Sequence, residues 1–535
     1  MNRPIPSRHG AVAGLAAGAL AITVGMFLSG LGETASPIDA VGSVVIDHVP
    51  ASVKRLAIDW FGTNDKLALR VGIATLLGLA AIAVGIAART RRWIGVAGIG
   101  AFGLIGAWAA VTRPTASGWA ALPSVLGAVA GAGALWFLLR PRPIETPGPS
   151  KAPLGWDRRR FLTSSAAVTA GAVVAGSAGV ALERRRLDRI RQAIPDSLPP
   201  LDAAAPSGST PTAEPVAGTA ASSAAESTVP TPAGAELFGE TPFITPRDRF
   251  YRIDTALSFP TVELSSWTMT IKGMVAKPLT LTYAQLLARP MVERTVTLTC
   301  VSNEVGGPYI GNAVWQGVLL RDLLAEAGVA DGAEQVFSTS IDGWTCGFPV
   351  SVATDQHRDC LVAVGMNGKP LPLEHGFPAR LVVPGLYGYV SATKWLDTIE
   401  LNRFADAEGY WVPRGWSRDA PIKTQSRIDV PRSDEAQSAG RVRIAGVAWA
   451  QHTGIAKVEV RVDGGEWHEA TLAADVTDDS WRQWVYDWDA TGKPPARYVA
   501  EVRATDKSGY TQTEERAEPA PDGATGYHSR GITIG

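Results

Sequence analysis

The 535-residue sequence predicts three architectures along the chain: a multi-span α-helical membrane region, a mixed α+β domain and a C-terminal antiparallel β-sandwich. Apolar stretches of membrane-spanning length crowd the first third and are absent afterwards. Between about residues 237 and 428, Val, Ile, Leu and aromatic runs alternate with Gly and Pro, the texture of a mixed domain. Beyond Asp429, Val458, Val460 and Val462 alternate with Lys457, Glu459, Arg461 and Asp463, and Asp463-Gly464-Gly465 supplies a hairpin turn.

Taken in order, Gly10 to Leu31, Leu67 to Ala88, Trp93 to Val111, Gly118 to Leu139 and Phe161 to Leu182 each approach the ~20 residues that cross a bilayer. Their Gly and Ala content suits close helix packing in lipid. The first four make a region over 1–142, and 143–194 carries the fifth. Residues 1 to 194 hold 21 Lys and Arg against 9 Asp and Glu, a net of +12, and the remainder holds 29 against 42, a net of −13. Arg89, Arg91, Arg92, Arg140, Arg142 and Arg158 to Arg160 lie in short loops that the positive-inside rule assigns to the cytoplasm. Five crossings then deliver the acidic part to the extracytoplasmic side of a multi-pass cell-membrane protein. That acidic part offers no electropositive footprint, so no nucleic-acid partner is expected and any anion site must be built locally from cations.

His9 and His48 lie outside the apolar spans, so no intramembrane imidazole pair is available for a b-type haem. Charges marking a transport path are nearly absent from the spans, which leaves anchoring as their reading. Arg158-Arg159-Arg160-Phe161-Leu162 resembles the twin-arginine export motif R-R-x-F-L, displaced from the N-terminus; an ordinary basic flank is the alternative. Residues 195–236 are rich in Pro, Ala, Ser and Thr and read as a flexible tether. In 237–428, Trp267 to Val275 and Leu279 to Leu281 read as strands, and Thr282-Tyr283-Ala284-Gln285 as a capping box opening a helix before Pro290. Residues 429–535 form the predicted sandwich.

The α+β domain is organised around Thr295 to Val329. Val296, Leu298 and Cys300 alternate with Thr295, Thr297 and Thr299, predicting a strand with one face buried. Gly306, Gly307, Pro308 and Gly311 then mark a loop, and Leu319 to Ala327 an amphipathic helix closed by Gly328. Cys300 thus ends a strand and faces a loop-built cleft, although a lone cysteine is more often a packed small apolar residue. Three cysteines are few for an exported chain, so stability rests on a core. Cys346 and Cys360 are either a pair or two buried thiols.

TLTCVSNEVGGPYIGNAVWQGVLL resembles the cofactor segment of the sulfite oxidase family of molybdopterin-dependent oxidoreductases, in which the cysteine is the thiolate ligand to molybdenum. The family's further blocks follow in order: Asp342-Gly343-Trp344-Thr345, Val364 to Pro372, His375 to Gly385 and Lys394-Trp395-Leu396. The resemblance covers roughly Phe238 to Asn402. It implies a sulfite-oxidase-type molybdopterin-binding domain, an immunoglobulin-like C-terminal domain that forms a homodimer, and a molybdenum–molybdopterin cofactor with Cys300 as metal ligand and catalytic centre. It further implies that Arg380, His375 and Lys394 anchor the pterin phosphate, that Asp342 accepts hydrogen bonds from the pterin, and that Arg252 belongs to the family's F-x-R-N-H stretch. Asp254 stands where that stretch has histidine.

The substrate end departs from the family. Vertebrate and plant members read C-A-G-N-R-R, whereas Glu304 and Val305 occupy the arginine positions here, and Val364 replaces a tyrosine before the M-N-G turn. Arg482, in Trp481-Arg482-Gln483-Trp484, is a candidate substitute. The expected activity is oxygen-atom transfer, sulfite to sulfate with two electrons to an external redox partner, and no haem is expected on the chain. A sulfoxide reductase is the enzymatic alternative, since its substrate is neutral. A non-catalytic surface-binding module is the alternative of another class.

Overall fold

The computed structural model describes the chain except residues 1–4, 33, 51–52, 54–59, 62–64, 114–115, 117, 141, 144–153, 156–157, 202–229, 238–240, 261 and 433–434. Two compact units result: Met1–Gln192 with Thr255–Thr261, and Ala193–Asp254 with Val262–Gly535.

The first unit is helical: α1 (Ser7–Gly32), α2 (Pro37–His48), α3 (Asp65–Ala88), α4 (Arg92–Val111), α5 (Leu122–Leu138) and α6 (Arg158–Ala193). Four helices, Ser7–Gly32, Lys66–Ala88, Arg92–Val111 and Arg158–Ala193, are long and apolar enough to cross a membrane. The expected span Gly118 to Leu139 is shorter than predicted, because Pro123 starts α5 late and leaves 17 helical residues. Conversely, α6 continues eleven residues past Leu182, since the basic run to Arg191 is as helix-compatible as the apolar part. Small residues set the packing: a Cβ on Gly14 would fall 2.0 Å from Ala81 O, and one on Gly85 2.2 Å from Gly10 O. Arg70, in the span α3, is paired with Asp39 of the short helix α2, Nη2 to Oδ1 at 2.9 Å, a charge pair overlooked in the sequence.

In the second unit, β1 (Thr268–Gly273), β2 (Leu279–Thr282), α7 (Tyr283–Leu287), β3 (Val292–Thr299), β4 (Ile310–Leu319) and α8 (Leu320–Ala327) open the α+β domain. It continues with β5 (Gln335–Ser340), β6 (Thr345–Pro349), α9 (Val350–Thr354), β7 (Leu361–Met366), β8 (Lys369–Pro370), β9 (Arg380–Val382), α10 (Gly388–Ser391) and β10 (Leu396–Asn402). One sheet runs β8-β7-β4-β3 with β9 also on β7, and the other runs β2-β1-β10-β5-β6. Only β10 and β1 pair in parallel within these two sheets. The capping box forms, Thr282 accepting from Gln285 N, and Gly328 closes α8 in the left-handed region. Between the sheets lie Trp267 and Trp315, whose indoles donate to Leu396 O and Val296 O, so neither buried N–H is orphaned.

Strands β11 (Gln425–Val430), β12 (Ala436–Gln437), β13 (Arg441–Trp449), β14 (Ile455–Val462), β15 (His468–Glu469), β16 (Thr471–Leu472), β17 (Arg482–Asp489), β18 (Ala496–Asp506) and β19 (His528–Ile534) form the C-terminal sandwich. Its sheets, β11-β13-β17-β16 and β12-β19-β18-β14-β15, share a core that includes Ile444, Trp484, Val458 and Val502. The sandwich seats directly on β3. Trp481 N donates to Thr297 Oγ1 at 2.7 Å, Trp481 Nε1 to Phe243 O at 2.9 Å, and Gln451 Nε2 to Thr297 O at 3.1 Å. Both Thr297 and Thr299 are therefore buried, and the expectation that β3 has one wet face fails because the second domain covers that face.

The tether is shorter than predicted. Leu198 lies against Gly365, Gln316 Nε2 donates to Pro199 O at 3.0 Å, and Ala235 is buried beside Phe243. The rest of the linker, 202–229, lies outside the described residues.

Cys300, Cys346 and Cys360 are all free. Cys346 Sγ faces Ser338 Oγ at 3.3 Å and Thr393 Oγ1 at 3.1 Å, and Cys360 Sγ faces Val352 O at 3.5 Å, so the two sit in different surroundings. Unreduced, denatured protein is expected to titrate three thiols per chain with Ellman's reagent; one thiol would mean that Cys346 and Cys360 are joined.

Candidate functional site

Strand β3 ends at Cys300, and its loop is closed by short bonds. Cys300 N donates to Tyr309 O at 3.0 Å, Asn303 N to Cys300 O at 3.0 Å, and Tyr309 N to Asn303 Oδ1 at 2.7 Å. Arg427 and His528 of the sandwich fix the loop from outside. Arg427 Nη1 donates to Gly307 O at 2.9 Å, and a Cβ on Gly306 would fall 2.1 Å from the His528 ring. Cys300 Sγ lies 2.9 Å from Ser302 Oγ. Burial pushes the thiol up, against the Ser302 hydrogen bond and the Lys394 charge.

The second part of the site is a cluster of cations folded around Gly376. This residue has φ +109°, and a Cβ on it would meet Lys394 Cβ at 3.0 Å and Arg380 Cβ at 3.1 Å, so only glycine lets the two basic side chains start so close together. Arg380 is 5% exposed. Its guanidinium donates to Leu381 O and His375 O, both at 3.3 Å, and lies 4.9 Å from the Trp315 ring centroid. No ion pair to it is found among the described residues. Burial draws it down to about 10, still charged at neutral pH. Lys394 Nζ bonds Asp254 Oδ2 at 2.7 Å and Glu374 O at 3.3 Å, and burial lowers its ammonium to about 8 despite Asp254. Arg252 Nε reaches the same Asp254 oxygen at 2.9 Å.

His375 differs from its expected part as a cationic anchor. Burial, then the charges of Lys394 and Arg380, push its imidazole down to about 3, so it is neutral. Its Nε2 faces Arg247 O at 3.1 Å and must carry the proton there, while its ring stands edge-on to Phe250 at 5.4 Å. It is a positioning residue that ties the 247–250 segment to the cluster. With His375 neutral, Arg380, Lys394 and Arg252 against Asp254 leave two positive charges in excess, the match of a phosphate dianion. A buried guanidinium held only by carbonyls and an indole face fits a pterin phosphate.

Asp342 caps its own turn, accepting from Trp344 N at 3.2 Å. Ile341 N donates to Trp395 O at 2.8 Å, which sets that turn beside the residue following Lys394. Arg482 is not brought to the site: it donates to Ala473 O at 2.8 Å and Ile455 O at 2.9 Å within the sandwich and lies 3.8 Å from Asp475, so it has no role as a substrate arginine. Glu304 is exposed, and its charge is screened by solvent.

Four contributors were missed in the sequence. Asp254, which reads as a mismatch, is the counter-ion of two cations. Tyr251, stacked on Phe250 at 5.2 Å, is held protonated mainly by burial and then by the neighbouring Cys300 sulfur. Tyr387 is buried within the same reach of that sulfur. Arg247 donates to Pro370 O at 2.6 Å, and Glu374 supports its charge. Asp254 and Arg247 reach their partners across 140 and 123 residues, and the two tyrosines come near Cys300 only through the fold.

Residues 256–411 match the family described as oxidoreductase molybdopterin binding domain. The chain is 31% identical to sulfite oxidase of Gallus gallus over 328 residues, spanning 53% of this chain and 71% of that one. It is 28% identical to sulfite oxidase of Arabidopsis thaliana over 314 residues, spanning 50% and 75%. It is also 34% identical over 154 residues to an uncharacterized oxidoreductase of Bacillus subtilis (strain 168), spanning 29% and 74%.

The neutral His375 has a measurable consequence. Between pH 6.5 and about 3 the unfolded imidazole binds a proton that the folded one refuses, so stability falls as pH falls, by at most about 1.4 kcal/mol per pH unit. His528, brought to about 4 by burial, adds a like contribution in wild type and variant alike. Urea unfolding followed by tryptophan fluorescence is expected to show a shallower acid slope in His375→Gln; an unchanged slope would mean that His375 is charged in the fold.

Proposed function

The chain belongs to the sulfite oxidase family of molybdopterin-dependent oxidoreductases, and on that footing we propose that it is a membrane-anchored, exported enzyme of oxygen-atom transfer. The observation that carries this reading is the pairing of Cys300, at a strand end, with a buried cationic cluster in which Asp254 offsets part of the charge and Arg380 has no carboxylate among the described residues. Cys300 would hold the molybdenum. Arg380 and Lys394 would hold the phosphate, with Asp254 and Arg252 setting the charge balance and His375 keeping Arg247 and Phe250 in place. The cofactor, when bound, supplies two-electron redox chemistry and exchange of oxygen with water.

The protein's own part is orientation and exclusion of water. The loop bonds from Tyr309 and Asn303 fix the Cys300 backbone, and Ser302 fixes its sulfur. The family's reaction is sulfite and water giving sulfate, two protons and two electrons, the electrons passing to a separate acceptor. Reduction of a neutral sulfoxide is the second reading. One observation favours it: Arg427, bonded to the Cys300 loop, and Lys394, whose charge reaches the sulfur, already face carboxylates. A desolvated dianion would find little attraction there beyond the cofactor anchor. The family membership sets aside the non-catalytic module.

Export of the second unit follows from the charge asymmetry of the loops, with Arg158-Arg159 as its twin-arginine signal, because a chain that folds around its cofactor in the cytoplasm must cross folded. Contact with a second copy through the sandwich is part of the same reading.

Protein from a molybdate-fed host is expected to hold about one molybdenum per chain by mass spectrometry, and Cys300→Ala to lose activity by at least about 1,000-fold, the scale of losing a group essential to chemistry. Sulfite with an artificial acceptor and a sulfoxide with an artificial donor separate the two directions. Folded, metal-free wild type would refute the enzyme reading. Arg158→Lys with Arg159→Lys is expected to leave the second unit protease-protected in right-side-out vesicles that expose it in wild type.

A further inference from the structure

Helix α6 is basic at both ends, and the charge asymmetry of the loops accounts for only one of them. Arg158, Arg159 and Arg160 open it on the side that the positive-inside rule assigns to the cytoplasm. At the other end, Glu183 to Arg191 carries five Arg against one Glu and one Asp, a net of +3. At ~1.5 Å per residue, Phe161 to Leu182 rises ~32 Å, about the hydrocarbon thickness, so the second basic run begins where headgroups begin. Helix α1 ends at the same level, because Gly30 lets it touch α6. A Cβ on Gly30 would fall 2.9 Å from Leu182 Cβ and 3.4 Å from Gly179 O.

At that contact the two helices border a cavity of about 440 Å³, lined by Gly30 of α1 and by Leu182, Arg185, Asp188, Arg189 and Gln192 of α6. Its size is that of a small-molecule site. Positions 182, 185, 189 and 192 are three or four apart, so they form one stripe of the helix, which turns from apolar to cationic as it leaves the hydrocarbon. Ile190, off this stripe, is 2% exposed, and its burial holds the extension in register. Arg185 and Arg189 are exposed and have no ion-pair partner among the described residues. Asp188, which also lines the cavity, lies 3.8 Å from Arg191, so its charge is partly offset from outside. The lining therefore keeps an excess of positive charge, carried by two guanidinium forks one turn apart over an apolar floor at Leu182. Such forks match phosphate oxygens, and the apolar floor matches the start of acyl chains.

We propose that this cavity binds the phosphate of an anionic glycerophospholipid, with Arg185 and Arg189 as its ligands and the acyl chains running down beside Leu182 and Gly30. A basic run at the second end of α6 then has a partner in the leaflet where the helix ends. The inference rests on the reading of α6 as a membrane span.

The test uses full-length protein in detergent, stripped of lipid and incubated with equimolar phosphatidylglycerol and phosphatidylcholine of the same acyl chains, with bound lipid read by native mass spectrometry. Wild type is expected to retain one phosphatidylglycerol with about ten-fold preference, and Arg185→Gln with Arg189→Gln to retain the two lipids within about two-fold of each other. Arg184→Gln, which removes a charge of the same run that does not line the cavity, is expected to keep the preference. Excess inorganic phosphate is expected to leave the lipid bound; displacement would assign the cavity to free phosphate and overturn the lipid proposal. Equal retention of both lipids by wild type overturns the inference whether or not the double variant folds. Equal loss in Arg184→Gln and in the double variant would mean diffuse attraction to the basic run and overturn the role of the cavity. Folded full-length protein recovered without detergent would remove the membrane premise itself.

Discussion

Arg380 is a guanidinium with 5% of its surface exposed, surrounded by carbonyls and one indole face. Taking such an ion from water costs several kcal/mol even after relaxation, and dipoles recover only part of that. Lys394 beside it is buried enough to have its ammonium lowered to about 8. Two like charges that begin at Gly376, their side chains separated only by the absence of a Cβ, are a destabilising arrangement for the fold alone. The anion of the proposed function would offset that cost, and the sheets and the left-handed glycine keep the pair dry and oriented.

The same constraint accounts for the layout of the second unit. β9 carries Arg380 on the edge of β7, β10 begins two residues after Lys394, and β3 delivers Cys300 from the opposite side of the same sheet. The sandwich then covers the outer face of β3 through Trp481 and Gln451 and pins the Cys300 loop with Arg427 and His528. The C-terminal domain is thus part of the site's support. A displaced sandwich would wet Thr297 and Thr299 and free the loop that aims the sulfur.

Much of this was legible in the sequence, and the parts that were not share a physical cause. Cys300 at a strand end, the capping box at Thr282, the Gly328 cap and the Asp463-Gly464 turn are local, and local signals decide local structure. Arg380 and Lys394 were readable because glycine, proline and tryptophan around them form dense motifs. What failed was tertiary. Alternation in β3 gave the strand but not the burial of its threonines, since the covering surface lies some 180 residues away in Trp481. Asp254 looked like a loss of the family's histidine, and the fold makes it the counter-ion of Lys394 and Arg252. Arg482 looked available until Ala473 and Ile455 were seen to hold it.

Asp254 for histidine changes more than one contact. A neutral imidazole beside Lys394 would leave the full charge of the ammonium for the anion, whereas a carboxylate at 2.7 Å cancels part of it and also draws in Arg252. The excess positive charge of the cluster is then spread over three cations, one of them partly exposed, with Arg380 the sole cation lacking a carboxylate among the described residues of the cluster. An anion's grip therefore depends more on the directional fork of Arg380 than on the point charge of Lys394. Cancelling the ammonium locally also lowers the positive potential that Lys394 projects toward Cys300. The replacement that seemed to weaken the family pattern thus keeps a net positive cluster centred on Arg380 while moderating the charge that Lys394 sends toward the sulfur.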